Sequence, residues 1–158
     1  TISVGDKLPE ATFMTMGADG PQPVTTADVF GGKRVALFAV PGAFTPTCSA
    51  KHLPGFKERA DEFKAKGVDA IACTSVNDVF VMGAWGEAAG SADVQMLADG
   101  NGEFTKSVGL EMDASGFGMG HRSQRYAMVV NDGKVEHLWV EGPGEFKVSS
   151  AEHMLAAL

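Results

Sequence analysis

Apolar residues recur along this chain in two patterns, as short continuous runs and as stripes with steps of three and four residues. The runs Arg34–Val40 and Val68–Ser75 have the composition of strands buried on both faces. Between them, the segment 46–66 has helical spacing, is expected to kink at Pro54, and is followed by Gly67 as a C-terminal cap. Its apolar stripe consists of Leu53, Phe56, Ala60 and Phe63. Strand, helix and strand in this order predict a right-handed βαβ unit with parallel strands.

The N-terminal part of the chain is predicted from its turn and cap residues. Gly17–Pro23 contains Gly and Pro twice each and is expected to be a surface turn. A short helix is expected after it, with Thr25 or Thr26 as its cap and Gly31-Gly32 as its stop.

The C-terminal part adds a helix, strands and a hairpin. They are a helix from Asn77 or Asp78 through Trp85, a strand over Val94–Asp99, and a hairpin over 125–140 that turns at Asp132-Gly133. Ser149 and Glu152 have the spacing of a capping box and are expected to open a final helix. This order predicts an α/β chain with a thioredoxin-like fold, a central mixed β-sheet flanked by helices, in a single domain over residues 1–158.

Composition and charge narrow the possible functions. The formal net charge of −7 disfavours general binding to nucleic acid or anionic membranes. No apolar run approaches the roughly 18–20 residues of a membrane span, and no secretory signal is visible. The two cysteines form no CxxC motif, and the four histidines lack metal-ligand spacing. We therefore expect a cytoplasmic protein with reduced thiols, no metal site, and neither nucleic acid nor membrane as a partner.

Cys48 is predicted to lie in the first turn of the helix that follows the first buried strand. Thr45 is a good N-cap residue, and Pro46 suits the first helical position because its missing N–H costs nothing there. Free backbone amides and the helix dipole favour an anion at that end. Lys51 and His52 are expected to add positive charge. Together these features favour a reactive Cys48 thiolate over the alternative, a buried small hydrophobe.

Cys73 has a different setting, because it lies in the middle of the second predicted strand. No charged residue lies beside it in the string "AIACTS". A cysteine in this position is expected to be a buried hydrophobic residue.

The segment around Cys48 resembles a known active-site motif. Pro41, Thr45 and Cys48, in the pattern PxxxTxxC, resemble the motif of the peroxiredoxins, and the longer string "PGAFTPTCSAKHLPGF" resembles the peroxiredoxin 5, or type II, branch. The strings "VGDKLPEATF", "TSVNDVFVMGAWG" and "RSQRYAMVVNDGKV" continue the resemblance in the family's order. Together these segments cover nearly the whole chain. The resemblance implies a thiol-dependent peroxidase that reduces hydrogen peroxide and alkyl hydroperoxides.

Within this resemblance, the catalytic roles belong to Cys48, Thr45, Arg125 and Pro41. Cys48 would be the nucleophile that attacks a peroxide oxygen and becomes a sulfenic acid. Thr45 would hydrogen-bond the thiolate and the incoming peroxide. Arg125 would hold Cys48 ionised and stabilise charge that develops on the peroxide oxygens. Pro41 would shield the pocket from water.

The candidate substrate-binding residues are Thr47, Phe44 and Phe117. The two phenylalanines are expected to line an apolar entrance for alkyl hydroperoxides, and core packing is the alternative for each. Thr47 directly precedes Cys48 in the motif.

The C-terminal region departs from part of the family. Some members carry a resolving cysteine there, whereas this chain reads "FKVSSAEHM". The expectation is therefore a one-cysteine mechanism without a cofactor, in which glutathione captures the sulfenic Cys48 and glutathione or glutaredoxin releases it. Thioredoxin is the competing reductant, with Cys73 as the resolving residue. The resemblance also implies a homodimer formed through the surface around the active site.

Two functions of other classes stay open at this point. One is a peroxide-sensing thiol switch, in which oxidation of Cys48 changes partner binding without efficient turnover. The other is a hydrolase that uses Cys48 and His52, which lacks an evident orienting carboxylate or amide. Repeated peroxide consumption in the presence of glutathione distinguishes a peroxidase from the switch, and an esterase activity unaffected by Cys48→Ser would exclude the hydrolase.

Overall fold

A seven-stranded mixed β-sheet is the centre of the structure, a computed structural model that describes all residues from 1 to 158. Its strands are β1 Thr12–Gly17, β2 Gly20–Thr25, β3 Arg34–Ala39, β4 Ala70–Ser75, β5 Val94–Ala98, β8 Tyr126–Asn131 and β9 Lys134–Val140. The order across the sheet is β2-β1-β5-β4-β3-β8-β9, with β3, β4 and β5 parallel and the other pairs antiparallel. A separate two-stranded sheet pairs β6 Glu111–Asp113 with β7 His121–Ser123.

Helices cover both faces of the large sheet. They are α1 Thr26–Phe30, α2 Leu53–Glu58, α3 Ala60–Ala65, α4 Val79–Ala88, α5 Glu103–Ser107 and α6 Ala151–Ala157, with a π-helical turn at Cys48–His52 and a 3₁₀ turn at Ser115–Phe117. One apolar cluster joins the sheet to α2, α3, α4 and α6, and a second joins its other face to α1 and α5. This arrangement is the predicted thioredoxin-like α/β fold. None of the helices combines the length and apolar character of a membrane span.

The predicted βαβ unit is present. Strands β3 and β4 are parallel, with Phe38 opposite Cys73 in the register. The four stripe residues of the connecting helical segment are all buried in the same cluster. Full burial of each larger side chain stabilises the fold by about 1.5–3 kcal/mol, so this stripe anchors the segment that carries Cys48.

The connecting helical segment is irregular where Pro54 was expected to kink it. The N–H of Leu53 bonds to the carbonyl of Cys48, five residues earlier, instead of four. Pro54 has no N–H, and its ring would clash with the carbonyl of Ala50 in a regular α-helix, so the preceding turn widens. A second interruption at Arg59 separates α2 from α3.

Two local predictions were wrong. Gly17–Pro23 is not one turn, because residues 20–25 form β2 and pair with β1 across a two-residue connection. Its prolines are tolerated because β2 is the edge strand. The final helix begins at Ala151 as predicted, but its cap is Ser150 rather than Ser149, because the Oγ of Ser150 accepts from the N–H of His153.

Candidate active site

Cys48 lies at the start of the helical segment that follows β3, with its side chain fully buried. The helix begins where predicted, because the carbonyl of Thr45 accepts from the N–H of Ser49 at 2.9 Å. The sulfur therefore lies in the first turn, next to backbone amides without helical partners. Both cysteines are free thiols.

Arg125 contacts the sulfur of Cys48 directly. It lies immediately before β8, rather than within a strand, and its Nη2 donates to Sγ at 3.0 Å. Its Nη1 donates to Nδ1 of His52 at 2.9 Å, and its guanidinium lies 5.9 Å from the ring centre of Phe146. The planar guanidinium thus bridges two acceptors, which holds its positive charge on the cysteine.

His52 is neutral, which corrects the expectation that it adds positive charge. Burial, and after it the positive charge of Arg125, lower its pKa to about 3, and the bond to Ser149 only partly opposes these two effects. Nε2 donates to the carbonyl of Ser149 at 2.8 Å, and Nδ1 accepts from Arg125. Because both ring nitrogens are occupied away from Cys48, His52 cannot act as the base of a Cys-His hydrolase.

The loop from Pro41 to Thr45 borders the site. Pro41 and Thr45 are both partly buried. The hydroxyl of Thr45 donates to the carbonyl of Gly42 at 2.7 Å, so its single proton is not directed at Cys48. The predicted donation from Thr45 to the thiolate is therefore absent, and its oxygen keeps lone pairs to accept a proton donor from substrate.

Asn77 holds this loop and was missed as a site residue. Its Oδ1 accepts from the N–H of Ala43 at 3.0 Å and from the hydroxyl of Ser75 at 2.6 Å. Phe44, the next residue in the loop, has a positive φ of 62°, an uncommon conformation for a residue with a side chain. A polar residue just after a buried strand was the available signal, but the sequence assigned Asn77 only to a helix start.

The predicted substrate-binding residues do not lie in the core. Phe44 is 53% exposed and Phe117 is 87% exposed, so the core-packing alternative is wrong for both. Thr47 is partly buried. A Cβ built on Gly42 would lie 3.1 Å from Cε of Met119, which is tighter than an ordinary contact, and 3.5 Å from Nη1 of Arg122, which is an ordinary one, so both side chains lie against this part of the loop. Neither Met119 nor Arg122 had been singled out from the sequence.

Cys73 is fully buried in the centre of β4. It lies opposite Phe38 of β3 and Met96 of β5. Burial raises the pKa of its thiol well above the usual value, the nearby Cys48 raises it further, and Arg125 opposes this only in part. The thiol of Cys73 therefore favours its protonated form in the folded chain. The structure contains no group of three or more His, Cys, Asp or Glu side chains arranged to hold a metal ion.

Comparison with known proteins agrees with this arrangement. The family model described as Redoxin matches residues 3–155. Peroxiredoxin-2E-2, chloroplastic, of Oryza sativa subsp. japonica is 58% identical over 100% of this chain and 73% of its own length. Peroxiredoxin-2B of Arabidopsis thaliana is 50% identical over 99% of this chain and 98% of its own.

Solved structures show the same similarity in three dimensions. The crystal structure of reduced Prx3 from Vibrio vulnificus in complex with H2O2 is 55% identical, covers 99% of both chains and superposes with a TM-score of 0.96. Peroxiredoxin 5 from Alvinella pompejana is 36% identical, covers 99% of this chain and has a TM-score of 0.87. With its buried, arginine-bound cysteine at a helix start, the chain belongs to the Redoxin family as a thiol peroxidase of the peroxiredoxins, similar to their type II, peroxiredoxin 5-like members.

Proposed function

We propose that this peroxidase acts on hydrogen peroxide and alkyl hydroperoxides through Cys48 alone, with glutathione or glutaredoxin as the reductant. The observation that supports this most is the contrast between the two cysteines. Cys48 accepts a hydrogen bond from Arg125 at 3.0 Å at the start of a helix, whereas Cys73 is fully buried in a central strand. One thiol has the setting of a nucleophile, and the other is held away from exchange chemistry.

The first step is attack by the Cys48 thiolate on one peroxide oxygen. An S–O bond forms as the O–O bond breaks, and the leaving alkoxide or hydroxide takes a proton to depart as alcohol or water. The product is Cys48 sulfenic acid. In general, a lower thiol pKa increases the rate only modestly, because the nucleophilicity of the thiolate falls along with it. The large rate factors must therefore come from groups that are oriented in the transition state.

In this proposal two groups supply that orientation and a third limits the access of water. Arg125 already donates to the sulfur and is placed to stabilise negative charge as it moves onto the leaving oxygen. The oxygen of Thr45, whose proton is used by Gly42, can accept the proton of a hydroperoxide and align its O–O bond. Pro41, partly buried beside them, is proposed to limit access of water to the sulfenic acid.

The position of Cys73 supports an external thiol as the reductant. Any movement of Cys73 toward Cys48 would disturb the pairing of β4 with both β3 and β5. Glutathione would instead attack the sulfenic sulfur, forming a mixed disulfide and releasing water, and a second thiol would then release reduced Cys48 and the oxidised disulfide. Thioredoxin with Cys73 as the resolving residue is the competing proposal.

Access to the oxidised cysteine requires a local opening of the helix start. Cys48 is 0% exposed, which suits a small peroxide better than a tripeptide or a protein thiol. The π-helical turn that carries Cys48 is connected to α4 by a hydrogen bond of 3.0 Å, which Trp85 Nε1 donates to the hydroxyl of Ser49. We expect this turn to open before the reductant reaches the sulfur.

Intact mass distinguishes these mechanisms. Wild type, Cys48→Ser and Cys73→Ser are reduced, treated with one equivalent of peroxide, and then given glutathione. Gain of one oxygen that requires Cys48, followed by a glutathione adduct, supports the one-cysteine mechanism. Loss of two hydrogens that requires both cysteines would instead establish Cys73 as the resolving residue. A thiol switch would be oxidised once but would not turn over on repeated additions.

We also propose that the chain forms a homodimer through the surface around Cys48. Phe44, Phe80 and Phe117 are 53%, 65% and 87% exposed, and exposed aromatic residues of this size favour an interface. Sedimentation tests this: Phe117→Ser should shift a dimer toward monomer, and Val4→Ser, at an apolar residue 60% exposed elsewhere in the chain, is the matched control. A monomeric wild type at micromolar concentration would refute the proposal.

The location of the protein stays a prediction. Reduced thiols favour the cytoplasm, whereas the similar rice protein is described as chloroplastic. Cell fractionation with an antibody against the native chain would decide between a cytoplasmic and an organellar site.

A further inference from the structure

A closed network of hydrogen bonds joins Arg125 to the segment that follows β9. The N–H of Glu141 donates to the carbonyl of Arg125 at 2.9 Å. The Oε2 of Glu141 accepts from the hydroxyl of Ser149 at 2.6 Å, the carbonyl of Ser149 accepts from His52 at 2.8 Å, and His52 accepts from Arg125 at 2.9 Å. We call these four residues, Arg125, Glu141, Ser149 and His52, the Arg125 network.

Glu141 is unusual because its carboxylate is buried without an ion pair. It is 7% exposed and has no basic side chain within 4.0 Å. Three donors meet at one oxygen instead: the N–H of Lys147 at 2.7 Å, and the N–H and hydroxyl of Ser149 at 2.8 Å and 2.6 Å. Burial alone raises the pKa of Glu141, but the hydrogen bonds from Ser149, Lys147 and Val148 outweigh it and keep the group ionised.

The segment between Glu141 and Ser149 packs against the side chains of His52 and Arg125. The ring of Phe146 lies 5.0 Å from the imidazole of His52 in an edge-on arrangement, and 5.9 Å from the guanidinium carbon of Arg125. Glu141 connects the two ends of this segment. It lies at the N-terminal end, and its carboxylate accepts hydrogen bonds from Lys147 and Ser149 at the C-terminal end. The position of the Ser149 carbonyl therefore depends on Glu141.

We propose that Glu141 is a positioning residue for the peroxidase reaction. By holding the 142–149 segment, it places the carbonyl of Ser149, which orients His52, and His52 in turn fixes the guanidinium of Arg125 on the sulfur of Cys48. The proposal rests on peroxide attack by Cys48, and it is independent of which thiol reduces the product. Glu141 touches neither substrate nor the reacting atoms and acts only through Arg125.

Two reactions of Cys48 separate this role from a merely structural one. Reaction with peroxide needs an oriented guanidinium in the transition state, whereas alkylation by iodoacetamide needs only an accessible thiolate. Misplacement by about 1 Å can lower a rate by roughly 100-fold. We therefore expect Glu141→Gln to lower the rate of peroxide reaction by about 10- to 100-fold, and that of alkylation by no more than about twofold, which marks a positioning effect rather than general loss of structure.

The chain offers a graded variant and a matched control. Ser149→Ala removes one of the three donors to Glu141 and leaves the carbonyl that bonds to His52, so its effect should be smaller and in the same direction. Glu145→Gln removes a carboxylate in the same segment that pairs with the exposed Lys147 at 2.8 Å, and it should leave both rates unchanged. If Glu141→Gln does not fold, Ser149→Ala still tests the proposal.

The measurement is single-turnover oxidation of the reduced full-length chain without any reductant, quenched and read by intact mass. A selective loss of the peroxide rate in Glu141→Gln and Ser149→Ala, with Glu145→Gln like wild type, supports the proposal. Unchanged peroxide rates, or equal losses in both reactions, would overturn it. Failure of wild type itself to oxidise at Cys48 would refute the peroxidase mechanism instead, and failure of glutathione to reduce it would refute only the proposed reductant.

Discussion

Replacing Arg125 with lysine separates the geometry of its positive charge from the charge itself. The guanidinium donates to Cys48 through Nη2 at 3.0 Å and to His52 through Nη1 at 2.9 Å. Lysine keeps the charge, but it is a single flexible ammonium that cannot reproduce the planar pair of donors. Arg125→Met removes both the charge and the donors while keeping a similar length.

The expected loss follows from the number of oriented bonds that each variant gives up. Removing one preorganised donor from a developing negative charge lowers a rate by about 100- to 1000-fold, or about 2.7–4 kcal/mol of transition-state stabilisation. We expect the peroxide rate to fall by about 100-fold in Arg125→Lys and by about 1000-fold in Arg125→Met. Arg125→Met also leaves Nδ1 of the buried His52 without its donor, which costs about 1–3 kcal/mol of unfolding free energy.

The assay is competition for peroxide between the variant and a second peroxidase of known rate, with unfolding by urea measured in parallel. Iodoacetamide labelling of Cys48 reports whether the thiol is still accessible. A peroxide rate for Arg125→Lys within about threefold of wild type would refute the view that the oriented guanidinium, rather than its charge, supplies the rate. Equal rates for the lysine and methionine variants would refute a contribution from charge.

Further predictions concern proton binding, the second cysteine and the active-site loop. The pKa of His52 is lowered to about 3, so between about pH 6.5 and 3 the unfolded chain binds more protons at this position. Unfolding free energy should therefore fall with decreasing pH there, by about 1.4 kcal/mol per unit at most, and His52→Gln should flatten the slope in a series of urea titrations. Cys73→Ser should keep peroxide turnover with glutathione, and native wild type should be labelled by a thiol reagent only at Cys48, as peptide mass mapping will show; rapid labelling of Cys73 would contradict the raised pKa of its thiol and its place in a central strand. Asn77→Ala leaves the N–H of Ala43 without its acceptor and should lower both the unfolding free energy, by about 1 kcal/mol, and the peroxide rate, whereas an unchanged peroxide rate would show that this loop needs no support.

The elements with strong local patterns were the ones predicted correctly. The buried runs became β3 and β4, the stripe between them was buried as a set, and the Asp132-Gly133 turn joins β8 and β9 with positive φ at both residues. Burial on both faces, helical spacing and turn chemistry act within a few residues. The edge hairpin of β1 and β2 was missed because Pro21 and Pro23 indicate a turn unless the strand is known to lie at an edge.

In the candidate site, too, the features set by neighbouring residues were predicted from the sequence, and those set by distant residues were not. The helix start at Thr45 and the place of Cys48 in its first turn followed from neighbouring residues. Arg125 was indicated only by resemblance to a family, because no local pattern connects it to a cysteine 77 residues earlier. The sequence also suggested a positively charged His52. Its neighbour is Lys51, and nothing in the local sequence indicates the burial that lowers its pKa.

The sequence by itself determined the α/β order of elements, the helix start that carries Cys48, and the presence of a single cysteine in a setting that favours an anion. These features depend on backbone preferences and on contacts within one or two turns. Only the tertiary structure decided the direction of the Thr45 hydroxyl, the neutral state of His52, and the bonds that connect Glu141 through Ser149 to Arg125. Those depend on burial and on contacts between residues far apart in the chain, because a side chain's charge and hydrogen-bond partners are set by what surrounds it after folding.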